Sequence, residues 1–169
     1  MIDSIGSPNK MDINQNANFG TSDRMDIKTI LNPKTMLILV GAIMMLMAST
    51  GVMDGESWAE SGWGADNVAE HDAEYEQMWA LHLMPLAAMA IATGLLVKGK
   101  ALAQMAMAAS ASVIVFIMGG MFFLTSDSGY GSDQGALIAI PALLVILLGI
   151  SGYLHMNEDE DEEAPAPEA

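Results

Sequence analysis

Four stretches of this chain, 35–53, 77–97, 101–126 and 134–157, contain no Asp, Glu, Lys or Arg. A water-soluble helix of such length shows a polar stripe every three or four residues, and these stretches show none. Each is about as long as the roughly 17–25 residues needed to cross a bilayer core. The charged fraction of the whole chain is 16%, against about 25% in soluble domains. A 169-residue chain has too little sequence left over to wrap four uncharged helices in protein. The stretches are rich in Ala, Met and Leu and do not alternate. Lipid-exposed backbone must also be satisfied within a helix or a closed barrel, so strands are a poor reading. The expected fold class is all-α: a polytopic four-transmembrane-helix bundle with spans at 35–52, 78–97, 101–124 and 135–154. The domain runs over 26–155, between a flexible tail at 1–25 and an acidic disordered tail at 156–169.

The six basic residues set the orientation. Lys10, Arg24, Lys28 and Lys34 precede the first span, and Lys98 and Lys100 sit in the tight turn between the second and third. The loops at 53–77 and 125–134 contain none. The positive-inside rule then puts both termini and the 98–100 turn in the cytoplasm, in a multi-pass protein of the cell membrane. Trp58, Trp63 and Trp79 fall on the external side, where interfacial aromatics concentrate. The first 34 residues are polar and lack the basic start of a secretory signal. Cleavage after the first span, near Ala48-Ser49-Thr50-Gly51, is the competing three-span reading.

Asn32-Pro33 is a good helix start, with Asn as cap and Pro at the first helical position. A second start is expected at Asn67, where Glu70 three residues later matches a capping box. One helix then runs from about Val68 through the second span, carrying Glu70, Asp72, Glu74 and Glu76 above the membrane. Pro85 and Pro141 lie at similar depths in the second and fourth spans, with Gly94 and Gly149 following each. This pattern suits a two-helix unit used twice, or membrane segments alike by composition alone. Small residues are the expected packing surfaces. They are Ala80, Ala87, Ala88, Ala90, Ala92 and Gly94 in the second span. In the third, Ala101, Met105 and Ala109 lie beside Ala108 and Ser112, continuing through Ser110, Gly119 and Gly120. The run from Leu143 to Leu148 is expected to face lipid.

The candidate metal ligands are His71, Glu74, Met78 and His82, spaced three, four and four apart on one helix face. Histidine, methionine and carboxylate suit copper, iron or zinc. His71 and His82 are about 16 Å apart along an ideal helix at 1.5 Å per residue, so they cannot share one ion. A complete site needs further groups such as Asp54, Glu56, Asp127, Tyr130 or Asp133. A haem held by two histidines is harder still, since His155 lies at the far end of the fourth span from His82. Most of the sixteen methionines sit at hydrocarbon depth, where Met is a packing residue.

Transport routes usually show an ionisable residue inside a span, and no Asp, Glu, Lys or Arg lies there. Gly129-Tyr130-Gly131 resembles part of a potassium filter but lacks the preceding Thr-Val and a pore helix, and is read as a turn. No serine-nucleophile motif or glycine-rich phosphate loop is present. Eight acidic residues lie between 54 and 76 with no Lys or Arg among them, and the net charge is −15. Nucleic acid is therefore excluded as a partner, while a cation or a basic protein is attracted.

The expected function is a small non-catalytic membrane subunit or binding protein with an acidic extracytoplasmic loop. Its expected partners are the lipid bilayer and a second copy or another membrane protein, and no cofactor is expected. The alternative is a transport or redox component holding copper, iron or haem near the outer end of the second helix.

Overall fold

The computed structural model describes residues 27–131, 134 and 136–157. A short helix, α1 (Ile27–Ile30), leads into α2 (Pro33–Met53). Asn32 caps α2 as its sequence implies, its Oδ1 accepting from the backbone N–H groups of Lys34 at 2.9 Å and Thr35 at 3.4 Å. Asp54 then ends α2 and at once starts α3 (Gly55–Trp63), taking the Ser57 N–H on its carboxylate at 3.1 Å. The chain turns at Gly64, whose φ of 79° favours a residue without a Cβ, and makes one 3₁₀ turn at Ala65–Asn67.

The second long helix, α4, covers Asp72–Leu96 and runs through Pro85. It starts about four residues later than the capping-box reading places it. The Asn67 side chain is used elsewhere, donating to the Trp63 carbonyl at the end of α3. The start is set by Asp72, whose carboxylate accepts the Ala69 N–H at 2.7 Å.

A tight turn leads to the third span, built of α5 (Gly99–Ser112), a π-helical stretch (Val113–Gly119) and α6 (Gly120–Thr125). Val113, Ile114 and Val115 are β-branched and crowd an α-helical turn, and no buried residue anchors this stretch to a neighbour. The last helix, α7, covers Ala136–His155. Four helices are thus long and apolar enough to cross a membrane, and the chain is an all-α, multi-pass membrane protein.

Two helix pairs form the bundle. α2 packs along α4, α5 packs along α7, and α2 joins the pairs through α7. Glycine sets the closeness of the first pair. A Cβ on Gly41 would stand 2.8 Å from the Ala87 carbonyl oxygen, and one on Gly94 would stand 2.9 Å from Ile38 Cγ1. Ala80 and Ala87 are fully buried beside them, as the small-residue reading expects. The third span packs through only part of the face read in its sequence, at Ser110 and Ala109. Leu102, Ala103, Ala106 and Ser110 are buried, whereas Ala101, Met105, Ala108 and Ser112 are exposed. The reason lies on α7, where Gly149 and Gly152 open space for Ser110 and for the backbone at Ala103. Ser110 also donates to the Val145 carbonyl at 2.8 Å.

α7 itself divides: Val145 and Leu148 are buried, while Leu143 and Ile146 are exposed. Met36, Leu37, Val40, Leu102, Ala106 and Leu148 form the shared core. It lies toward the end with the 98–100 turn. At the α3 end, α6 contributes no buried residue, and Phe122 and Phe123 are 77% and 79% exposed. A gap is left there between α4 and α6.

Candidate functional site

That gap is roofed by α3 and by the turn that follows α6. Two hydrogen bonds hold the roof: Gly131 N–H to the Gly62 carbonyl at 2.7 Å, and Tyr130 hydroxyl to Glu76 Oε1 at 2.6 Å. Gly62 has no side chain to keep the Tyr130 ring away, and a Cβ there would overlap it. The ring also meets Trp63 edge to face, with centroids 4.9 Å apart and planes at 70°. The Gly-Tyr-Gly string is a turn in which glycines at φ 75° flank one docked aromatic residue.

Glu76 is 7% exposed and is the one buried carboxylate among the described residues. Only one of its oxygens is used. Among the described residues Oε2 takes no hydrogen bond, yet no side-chain polar atom is both sealed from its surroundings and unpartnered, so Oε2 keeps some accessible surface. Burial pushes the Tyr130 phenol well above the usual tyrosine range, and its bond to Glu76 and the charge there add to the effect.

The crevice holds about 250 Å³. Glu76 and Tyr130 stand at its rim with Trp63, Tyr75 and Trp79, and Met121 and Thr125 come from α6. The Thr125 hydroxyl is committed to its own helix, donating to the Met121 carbonyl at 2.8 Å. The lining is therefore mostly carbon, with one available carboxylate oxygen.

The four candidate metal ligands lie outside this crevice. His71 precedes α4 rather than standing in it, and its ring meets Tyr75 edge-on at 5.3 Å. Only Glu74, Met78 and His82 share the helix, and all three are exposed. His82 Nδ1 pairs with the Met78 carbonyl at 2.5 Å, one turn back, and not with the Leu81 carbonyl that Pro85 leaves without a donor. Of the groups suggested to complete a metal site, Asp54 caps α3 and Tyr130 is engaged with Glu76. Asp133 lies outside the described residues. No three His, Asp or Glu side chains converge among the described residues.

Sequence reasoning placed Glu76 with Glu70, Asp72 and Glu74 on the helix above the membrane and did not single it out. A usable signal was present. Glu76, Ala80, Ala87 and Gly94 recur at steps of four, seven and seven, which keeps them on one helix face. All four are buried, so the carboxylate extends the packed stripe by one turn. Comparison with protein-family models, with curated proteins and with solved structures found no match.

Proposed function

We propose that this chain is a small non-catalytic subunit or binding protein of the cell membrane, and that the crevice at the α3 end is its binding site. The observation that carries this reading is Glu76: a buried carboxylate that lines an apolar crevice and uses only one of its oxygens in a hydrogen bond among the described residues. Among the described residues of the crevice lining, the Thr125 hydroxyl donates to its own helix and the Tyr130 hydroxyl to Glu76, so the arrangement suits holding a group rather than transforming it. In this reading both termini and the 98–100 turn are cytoplasmic and α3 faces outward. Lys28, Lys34, Lys98 and Lys100 at one end, against the acidic stretch from 54 to 76 at the other, support that orientation. The exposed faces of the third span, Phe116 and Phe123 among them, are the surface offered to lipid or to a second membrane helix.

Extraction in a gentle detergent, followed by native mass measurement, tests the proposal. A bound small molecule, a second copy or a copurifying membrane protein is expected. A ligand-free monomer would count against it. The competing proposal is a transport or redox component using His71, Glu74, Met78 and His82. It requires stoichiometric copper, iron or haem in the same preparation.

A further inference from the structure

The geometry points to an alkylated organic ammonium group as the occupant of this crevice, its charge beside Glu76 Oε2 and its methyl groups against the rings of Trp63, Trp79 and Tyr130. The assignment rests on reading the crevice as a binding site. Three observations carry it.

The first is charge. Among the described residues that line the crevice, Glu76 carries the one carboxyl group and none is Lys or Arg, and the stretch from 54 to 76 holds no Lys or Arg either. A cleft walled by low-dielectric material and lined with one sign of charge concentrates the opposite one.

The second is the lining. A hard metal cation such as calcium takes about six to eight oxygens. The described lining supplies the second Glu76 oxygen, the Tyr75 phenol, a Tyr130 phenol already bonded to Glu76 and a Thr125 hydroxyl bonded to its own backbone, which is short of that number. A primary ammonium carries three donors and would leave some of them facing carbon. An alkylated ammonium asks for a single counter-charge and for aromatic surface, which attracts cations through the ring quadrupole.

The third is size. A volume of about 250 Å³ is below the range of about 300–1,000 Å³ typical of drug-sized ligand sites. The crevice therefore takes a headgroup or a small cation. A trimethylammonium group arrives either as the headgroup of a phospholipid or as a free solute.

The test places the full chain in nanodiscs of phosphatidylglycerol, which has no ammonium headgroup. Tetramethylammonium chloride is titrated against sodium chloride at matched ionic strength, with tryptophan fluorescence as the readout. Saturable binding of tetramethylammonium alone is expected. Glu76→Gln, which keeps an acceptor for Tyr130 but removes the charge, is expected to weaken it about tenfold, in line with a desolvated cation–carboxylate and cation–π site. Trp79→Leu gives a comparable loss and Trp79→Phe a smaller one, which covers the case in which Glu76→Gln does not fold. Glu60→Gln, which removes an exposed acid on α3, leaves binding unchanged.

Repeating the titration in phosphatidylcholine discs separates the sources: suppressed response means a lipid headgroup, and an unchanged response means a free cation. No saturable response in phosphatidylglycerol discs overturns the assignment, as does equal binding by folded Glu76→Gln. An equal loss from Glu60→Gln would show general acidic attraction and overturn it too. If tetramethylammonium does not bind while another ligand or partner copurifies, only the ligand class is wrong and the binding-protein reading survives.

Discussion

The Tyr130 hydroxyl and Glu76 Oε1 are 2.6 Å apart, although 54 residues separate them in the chain. The bond ties the turn after α6 to the first turns of α4, so it closes the α3 end where the third span has few other attachments. Tyr130→Phe keeps the ring against Trp63 and Gly62 and removes only the bond. Expected is a loss of about 1–2 kcal/mol, because one buried acceptor loses its donor, measured as a lower denaturant midpoint in detergent. Tyr130→Leu, which also removes the edge-to-face contact, costs more.

The same pair makes the α3 end sensitive to alkali. The Tyr130 phenol is raised in the folded protein, first by burial and then by Glu76. A raised phenol contributes stability that is complete below the unfolded tyrosine value of about 10 and is lost as pH rises toward the folded value. Titrating phenolate absorbance should show one tyrosine ionising later than an ordinary phenol, with a fall in thermal stability through that range. Tyr130→Phe should lack both features. A late-titrating phenol that persists in that variant would belong to another residue.

The α2–α4 pair has no room at its glycines. A Cβ on Gly41 meets the Ala87 carbonyl, and one on Gly94 meets Ile38 and the Lys34 carbonyl. Gly41→Val is expected to cost about 1–3 kcal/mol, as overpacking of a tight interface does. Gly120→Ala is the matched control, since nothing lies within 4 Å of its added Cβ. It should stay within about 0.5 kcal/mol. Thermal melts of both in one detergent check the contrast.

Span positions were legible because lack of charge over a bilayer's length is a property of the chain alone. The helix expected from about Val68 through 97 and the observed Asp72–Leu96 differ mainly at the start. What shifts the start is a local competition: Asn67 caps a carbonyl of α3 instead of opening α4. α3 itself carries a readable start, Asp54 three residues before Ser57. It was passed over because the stretch before Asn67 was read only as an acidic loop. The crevice was less legible. Tyr130 docks because Gly62 leaves space for it, and no local pattern links residues so far apart. The packed face of α5 was read only in part, at Ser110 and Ala109, for a similar reason, since Gly149 and Gly152 on another helix decide it.

Orientation has its own test. Ser61→Cys on α3 and Ala101→Cys at the start of α5 are both exposed positions at opposite ends of the bundle. In intact cells a membrane-impermeant thiol reagent should label the first and reach the second only after permeabilisation. Labelling of Ala101→Cys from outside would reverse the proposed topology.

His82 separates the binding reading from the metal reading. Its ring is exposed along α4 and its Nδ1 pairs with the Met78 carbonyl of its own helix. A glutamine can offer a donor at the same place, so His82→Gln should fold with stability changed by no more than about 0.5 kcal/mol and keep tetramethylammonium binding. His82→Leu removes the polar group and should lower stability by about 0.5–1.5 kcal/mol, the net value of one hydrogen bond. Metal analysis and an absorption spectrum accompany both variants. Loss of a stoichiometric metal or haem from a well-folded His82→Gln protein would make His82 a ligand. The sites on α4 would then have to be reassigned from the crevice to the exposed face.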